Sequence, residues 1–368
     1  MYKKITRWVP AASLIVFVWG IAAAICHAGF MLSPLFADWF NRTIGTALRT
    51  VLAKLTGWFP MSLAEAILLS LPVTLTVLFV ICIRKSKDGK RQMVRCVLAL
   101  LSVAVFLYAL FVFTFAPGYR APTLDTKLAL EWKDVSAEEL YETAKVVTDR
   151  LNELADQVNF AENVGSVRPY THKETVEKCM ASYEKLAEEY AFLPVLRAPV
   201  KQIVLSEWMT YTHISGVYTY FTGEANLNTN YPYFVNVYTT AHEMAHQRGI
   251  ARENEANFIA YLVCISSEDP YMQYCGYLNM YEYLINPLHK ASPKMYTLII
   301  NSLDRRVRYD LQCYSIFFDK YRESVASDVS QAVNNTYLVL QGQEDGTRSY
   351  GMVVDLAVAY HKKAGDIR

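Results

Sequence analysis

The chain has 368 residues, 53% of them hydrophobic, and a formal net charge of +1. A charge so close to zero gives no footing for a nucleic-acid partner, and the length leaves room for one full soluble domain beside a membrane part. The apolar residues are gathered into a few long runs, which excludes a uniformly soluble globule.

Three runs reach the ~20 apolar residues that a bilayer crossing needs. They cover residues 8–30, 63–83 and 94–115. The first is too long for a cleaved signal peptide and shows no small-x-small cleavage site, so it reads as an uncleaved anchor. Lys3, Lys4 and Arg7 precede it, and Arg84, Lys85, Lys87, Lys90, Arg91 and Arg95 crowd the short link between the second and third runs. The link over 33–61 is longer and carries only Arg42, Arg49 and Lys54. Basic residues stay on the cytoplasmic side. The expected anchor, residues 1–116, therefore has three transmembrane helices, with everything after the third outside the cytoplasm. Within the 33–61 link, Phe36, Phe40, Ile44, Leu48, Val51, Leu55 and Trp58 recur at spacings of three and four. That is one apolar helix face over about 33–58, lying in the membrane interface or packed on the other spans. Ser62-x-x-Glu65 reads as a capping box opening the second span.

Pro117, Gly118 and Pro122 mark a linker, and residues 120–368 read as one extracytoplasmic domain, mainly helical with a little β structure. Ser136-x-x-Glu139 caps a helix to about 158, and a second helix runs over about 173–191. Residues 217–221 are β-branched and aromatic and read as a strand, 222–224 as a turn, and 225–228 as a returning strand. A helix begins near Tyr233. Cys179, Cys264, Cys275 and Cys313 fall in this domain, an even number that permits disulfides, although Cys264 also suits a buried thiol. His27, His172, His213, His289 and His361 are scattered, none at ligand spacing to another, and read as structural.

The helix from Tyr233 carries Thr240-Ala-His-Glu-Met-Ala-His-Gln-Arg-Gly249. His242 and His246 are four apart, so both imidazoles lie on one helix face and can reach one ion. Two neutral imidazoles on one face suit a tetrahedral zinc site, and Glu243 stands beside it as a candidate general base. Gly249 is placed to end the helix, and a second helix opens with Arg252-Glu253-Asn254-Glu255. A third ligand from that helix completes a His₂-carboxylate set. Glu253 and Glu255 are the candidates, and being two apart they cannot both face the metal. Such a set also accepts other divalent ions.

The stretch Glu253-x-x-Ala256-Asn257 resembles the Glu-x-x-Ala-Asn/Asp pattern of ImmA/IrrE-type and HtpX-type metallopeptidases, although only six residues separate His246 from Glu253 here. The resemblance implies Glu253 as the metal ligand and Asn257 as a brace behind a ligand, with Glu255 the alternative ligand. The block from Gly216 to Asn228, the His-Glu-x-x-His-Gln-Arg-Gly core with Glu-Ala-Asn-Phe, and the late Asn334-x-x-Tyr-Leu…Ser-Tyr350-Gly are similar to a bacterial family catalogued as a domain of unknown function, with N-terminal membrane spans and a zincin-like motif. That likeness implies a zincin-like α+β metallopeptidase domain on a membrane anchor. It also points to Tyr350 as the donor to a developing oxyanion, with Tyr309 and Arg308 as weaker candidates. It implies no substrate.

The expected activity is zinc-dependent hydrolysis of a peptide or protein, with Glu243 taking a proton from the activated water and passing it to the leaving amine. Two other readings stay open. An intramembrane protease carries the same motif but needs it inside a long apolar span, and the flanks here are polar. A metal-stabilised sensor or binding module without turnover would keep the same ligands, yet has no need of Glu243.

Overall fold

A computed structural model describes residues 8–87, 89–131, 134–340 and 351–367. The chain divides into two compact units, one made of Met1–Ala121 with Thr219–Glu224, the other of Pro122–Tyr218 with Ala225–Arg368. The short return of Thr219–Glu224 to the first unit has no counterpart in the sequence-based division.

In the first unit, α1 (Ala11–Leu32), α4 (Leu63–Ser86) and α5 (Lys90–Thr114) are each long and apolar enough to cross a membrane. Between the first two lie α2 (Pro34–Phe40), a π-helical turn (Asn41–Gly45) and α3 (Thr46–Gly57). Ala37, Asn41, Gly45, Arg49 and Ala53 form the buried stripe of this stretch. The expected apolar face points the other way, with exposure rising from 38% at Leu48 to 88% at Trp58. At its start the face does pack on the spans, Phe36 and Phe40 against Phe30 of α1 and Phe40 against Phe113 of α5, while from Ile44 onward it stays exposed. The π turn has a local cause. The Asn41 carbonyl accepts from Arg49 Nη2 at 2.9 Å, and the Arg49 Nη1 reaches Asn41 Oδ1 at 2.8 Å and the Thr114 carbonyl at 2.7 Å. A buried guanidinium must be surrounded by oxygen dipoles, and the extra residue in the turn lets the backbone provide one. α6 (Ala116–Arg120) closes this part of the chain.

The start of α4 is capped by three acceptors. Ser62 Oγ accepts from the Glu65 amide at 3.0 Å, and the Glu224 carboxylate accepts from the amides of Leu63 and Ala64 at 3.1 and 3.0 Å. These are amides that a helix leaves without internal partners, and a carboxylate there also opposes the positive end of the helix dipole.

The second unit is built of α7 (Leu124–Leu128), α8 (Ala137–Ala155), the hairpin β1 (Phe160–Ala161) and β2 (Gly165–Ser166), α9 (His172–Glu189), β3 (Val200–Gln202), α10 (Ser206–Thr210), β4 (Gly216–Thr219), β5 (Glu224–Leu227), α11 (Tyr233–Gln247), α12 (Glu253–Ile265), α13 (Pro270–Ala291), α14 (Pro293–Ser302), α15 (Arg305–Asp319), α16 (Val325–Leu340) and α17 (Gly351–Ala364). β4 and β5 each have one end residue in the first unit. Full capping boxes open α8 at Ser136/Glu139 and α9 at Thr171/Glu174, the second unanticipated. α8 lays Leu140, Ala144, Val147, Leu151 and Leu154 along α13, while α11, α12 and α13 pack on one another and α9 covers α11 and α12. α11 and α12 are buried on nearly every side. Three strands lie in the order β3-β5-β4, β3 and β5 parallel with Val200 opposite Ala225. β4 is therefore an edge strand of this small sheet.

The seven cysteines are free thiols, with Cys179, Cys264 and Cys275 buried in the core. The scattered histidines pair locally: His172 with the Val200 carbonyl, His213 with the Tyr321 carbonyl, and His361 between Tyr261 and Asp366.

Candidate metal centre

His242 and His246 stand on α11, and Glu253 is the first residue of α12. One ligand atom from each lies within 4.8 Å of the others. His242 Nε2 is 3.3 Å from Glu253 Oε2, and His246 Nε2 is 3.5 Å from Glu253 Oε1. A charge-assisted hydrogen bond settles at ~2.7–2.9 Å. Donors each ~2.0–2.2 Å from one tetrahedral ion stand ~3.3–3.5 Å apart. The spacing suits donors sharing an ion better than donors bonded to each other, so the residues present fit a divalent metal.

The turn between the helices explains why Glu253 arrives there. Gly249 takes φ +90°, its amide donates to the His246 carbonyl at 2.9 Å, and the Ile250 amide donates to the Ala245 carbonyl at 3.1 Å. This is a Schellman ending, which needs a left-handed residue where glycine stands. The same turn carries the Ile250 carbonyl back to within 2.7 Å of His246 Nδ1. With Nδ1–H donated to that carbonyl, Nε2 is the nitrogen that would face an ion once the imidazole is neutral. Behind α11, the buried Arg248 guanidinium lies 3.9 Å from the centre of the Tyr183 ring, and Tyr183 OH donates to the Ala241 carbonyl at 2.7 Å. Arg248 also donates to the carbonyls of Met244 and Leu196. Arg248 was legible only as part of the motif; its partner Tyr183 carried no local signal.

Electrostatics follow from burial and from the close charges. Burial pushes the Glu243 carboxyl up to about 7, against the opposing pull of His242 and His246. Burial alone would lower His246, but the Glu253 charge outweighs it and raises the imidazole to about 9. Burial likewise disfavours a charged Glu253, and the two histidines overcome it, holding this carboxyl well below the usual range. A metal entering the site must displace the proton on His246. His242 Nδ1 and Glu243 Oε2 are among the buried atoms that have no hydrogen-bond partner among the described residues.

Glu255, the alternative ligand, is not in the cluster. Its Oε1 accepts from the Leu124 amide at 3.0 Å and from Arg252 Nη1 at 2.8 Å. Two positions on a helix turn a side chain by ~200°, so with Glu253 facing α11 its neighbour must face elsewhere. His246 Nδ1 is paired with the Ile250 carbonyl, and Asn257, the expected brace, lends its backbone carbonyl to Tyr238 OH at 2.6 Å. Tyr309 OH accepts from the Asn163 amide, and Arg308 donates to the Leu303 carbonyl. Tyr350 lies outside the described residues.

A family of proteins of unknown function, DUF3810, matches residues 40–358. The chain belongs to this family. The match takes in α11 and α12 with every member of the cluster, and also the second and third apolar helices. No curated protein and no solved structure matches the chain. Membership of DUF3810 therefore fixes kinship without naming a substrate or a reaction.

Proposed function

We propose that this DUF3810 protein is a membrane-anchored, zinc-dependent peptidase of zincin-like fold, with its site outside the cytoplasm. The observation that carries the reading is the unpartnered Oε2 of Glu243, buried beside three donors at metal-ligand spacing. A buried carboxylate oxygen with no partner is costly, and function is the usual reason for keeping one. When bound, the zinc would supply the Lewis acid that lowers the pKa of a water and polarises a peptide carbonyl. His242, His246 and Glu253 would hold it. Glu243 would take the proton and return it to the leaving amine, and a carboxyl raised by burial to about 7 suits both halves of that transfer.

The orientation rests on the basic residues crowding the link between the second and third apolar helices. The motif helix α11 is not one of the three apolar candidates, which speaks against an intramembrane protease. A silent metal-stabilised module has no use for Glu243.

The test uses the full chain in lipid nanodiscs. Metal analysis should find one zinc per chain, and a peptide library should reveal cleavage. Glu243→Gln should keep the zinc and the fold while losing at least ~10²-fold in turnover. Unchanged cleavage in the variant would end the hydrolytic mechanism, and loss of its zinc would make Glu243 a ligand or support.

A further inference from the structure

Glu243 is usually treated as a side chain of its helix alone, yet here a strand grips it. The Asn228 amide donates to the Ser215 carbonyl at 2.9 Å, and Asn226 Nδ2 donates to the Val217 carbonyl at 3.1 Å. Residues 215 and 217 thus turn towards β5. Alternation in a strand then turns Gly216 and Tyr218 to the opposite, outer edge of β4. At that edge the Tyr218 amide donates a hydrogen bond to the Glu243 carboxylate. A methyl group added at Gly216 would stand 2.6 Å from Glu243 Oε1, 2.7 Å from Glu243 Cγ and 2.6 Å from Thr239 Cγ2. Such separations do not occur between real atoms, so the carboxylate occupies the space that any other residue would fill. Oε2 has no hydrogen-bond partner among the described residues, and Oε1 is the oxygen that lies against Gly216.

We infer that strand β4 is the positioning element of Glu243: the Tyr218 amide fixes Oε1, the missing side chain at Gly216 makes room for it, and Oε2 is left as the single atom that takes the proton. This deepens the peptidase reading and rests on it for the proton step, although the grip itself stands on geometry alone. A carboxylate on a flexible stem has three torsions to lose before it is aimed. A fixed amide at one oxygen removes the rotation that would exchange the two oxygens. Ser215 takes part too, since Thr239 Oγ1 donates to Ser215 Oγ at 3.1 Å and so ties the start of the strand to the same helix. Gly216 and Tyr218 are positioning residues, acting on the reaction through Glu243.

Two measurements on the full chain in nanodiscs decide the matter. The first is amide hydrogen exchange resolved to Tyr218. Glu243→Ala should speed that exchange by ~10-fold or more, the scale of one lost hydrogen bond. Equal exchange in the variant and the parent chain would overturn the grip whether or not any peptide is cleaved. The second is kinetic. Gly216→Ala should keep bound zinc and leave KM within about threefold while kcat falls by ~10²-fold, the usual penalty for a catalytic group displaced by an ångström. Should Gly216→Ala fold poorly, Gly216→Ala with Thr239→Ser removes the Cγ2 clash, keeps the hydroxyl and leaves the clash with Glu243. That pair should regain stability and stay low in kcat. Recovery of both together would show that Gly216 serves packing only. A parent chain that cleaves nothing while the exchange result holds would sink the peptidase reading and leave the grip on Glu243 intact.

Discussion

Two sets of apolar helices in this molecule solve opposite problems. In α4, none of the most apolar stretch is buried within the protein, and Leu68 and Phe79 remain about two-thirds exposed. In α12, every residue from Asn254 to Cys264 is buried. Hydrophobicity alone does not separate the two. What separates them is who supplies the surroundings. For α4, surface of that kind suits hydrocarbon, where a helix satisfies its own backbone and asks nothing of its side chains. For α12, the surroundings are other helices, and each polar group carried inside must be given a partner. Glu255 receives two donors, Asn257 lends its carbonyl to Tyr238, and Glu253 receives only two histidines at a distance that leaves room for an ion.

The sharpest break of that comparison is to remove each carboxylate of α12 in turn. Glu253→Ala should cut zinc affinity by more than ~10²-fold, beyond the 10–100-fold typical of groups that only brace a ligand. Glu255→Ala should keep zinc in the folded fraction but lose ~3–5 kcal/mol of stability, as when one partner of a buried ion pair is removed. Competition with a metal chelator and thermal unfolding, measured together, check both. The reverse ranking would mean that the turn between α11 and α12 is misread.

Placing an equivalent insult in each set sharpens the contrast. Leu75 is 59% exposed in the middle of α4. Leu75→Arg should penalise membrane insertion by ~2.5–3.5 kcal/mol in an insertion reporter, with Leu75→Ala close to neutral. Leu262 is 2% exposed in α12. Leu262→Ala should destabilise the fold by ~2–5 kcal/mol through the cavity it leaves. Free insertion of the Leu75→Arg chain would remove α4 from the bilayer.

The smallest effect falls on the turn. Gly249→Ala forces a left-handed alanine, a strain of ~1–2 kcal/mol. It should also weaken zinc by ~10-fold as the Ile250 carbonyl drifts from His246. Asn257→Ala, by contrast, should leave zinc affinity nearly unchanged in the folded protein, because that residue's backbone makes its contact. A larger loss from Asn257→Ala than from Gly249→Ala would restore Asn257 as the brace.

What could be read in the sequence was what is local. His242, Glu243, His246 and the glycine ending the helix follow from helix geometry over eight residues, and both the Ser62 and Ser136 caps follow from spacing. The choice of Glu253 over Glu255 came only from resemblance, because the partner that draws Glu255 away, the Leu124 amide, lies 131 residues earlier. Tyr218 was visible within a strand over 217–221 and Gly216 only as the residue before it, neither as the support of Glu243, since no local pattern tells which edge of a strand a distant helix will meet. The apolar face over 33–58 was seen correctly as a face and left undecided in direction. Periodicity marks one side as greasy, and lipid and protein accept grease alike; the buried Arg49 decided it.

Glu224 bears on how the molecule can be taken apart. Its two oxygens serve the first amides of α4, although the residue arrives some 160 positions later in the chain. A single cut at residue 121 would yield a fragment still carrying Thr219–Glu224, a hairpin tip whose folded neighbours were left behind with the anchor. Its carboxylate would lose both amides at once, and the strands on either side of the tip are β4 and β5. The unit that carries the candidate metal centre is thus interrupted in sequence, and a one-step truncation that frees it takes a piece of the other unit with it.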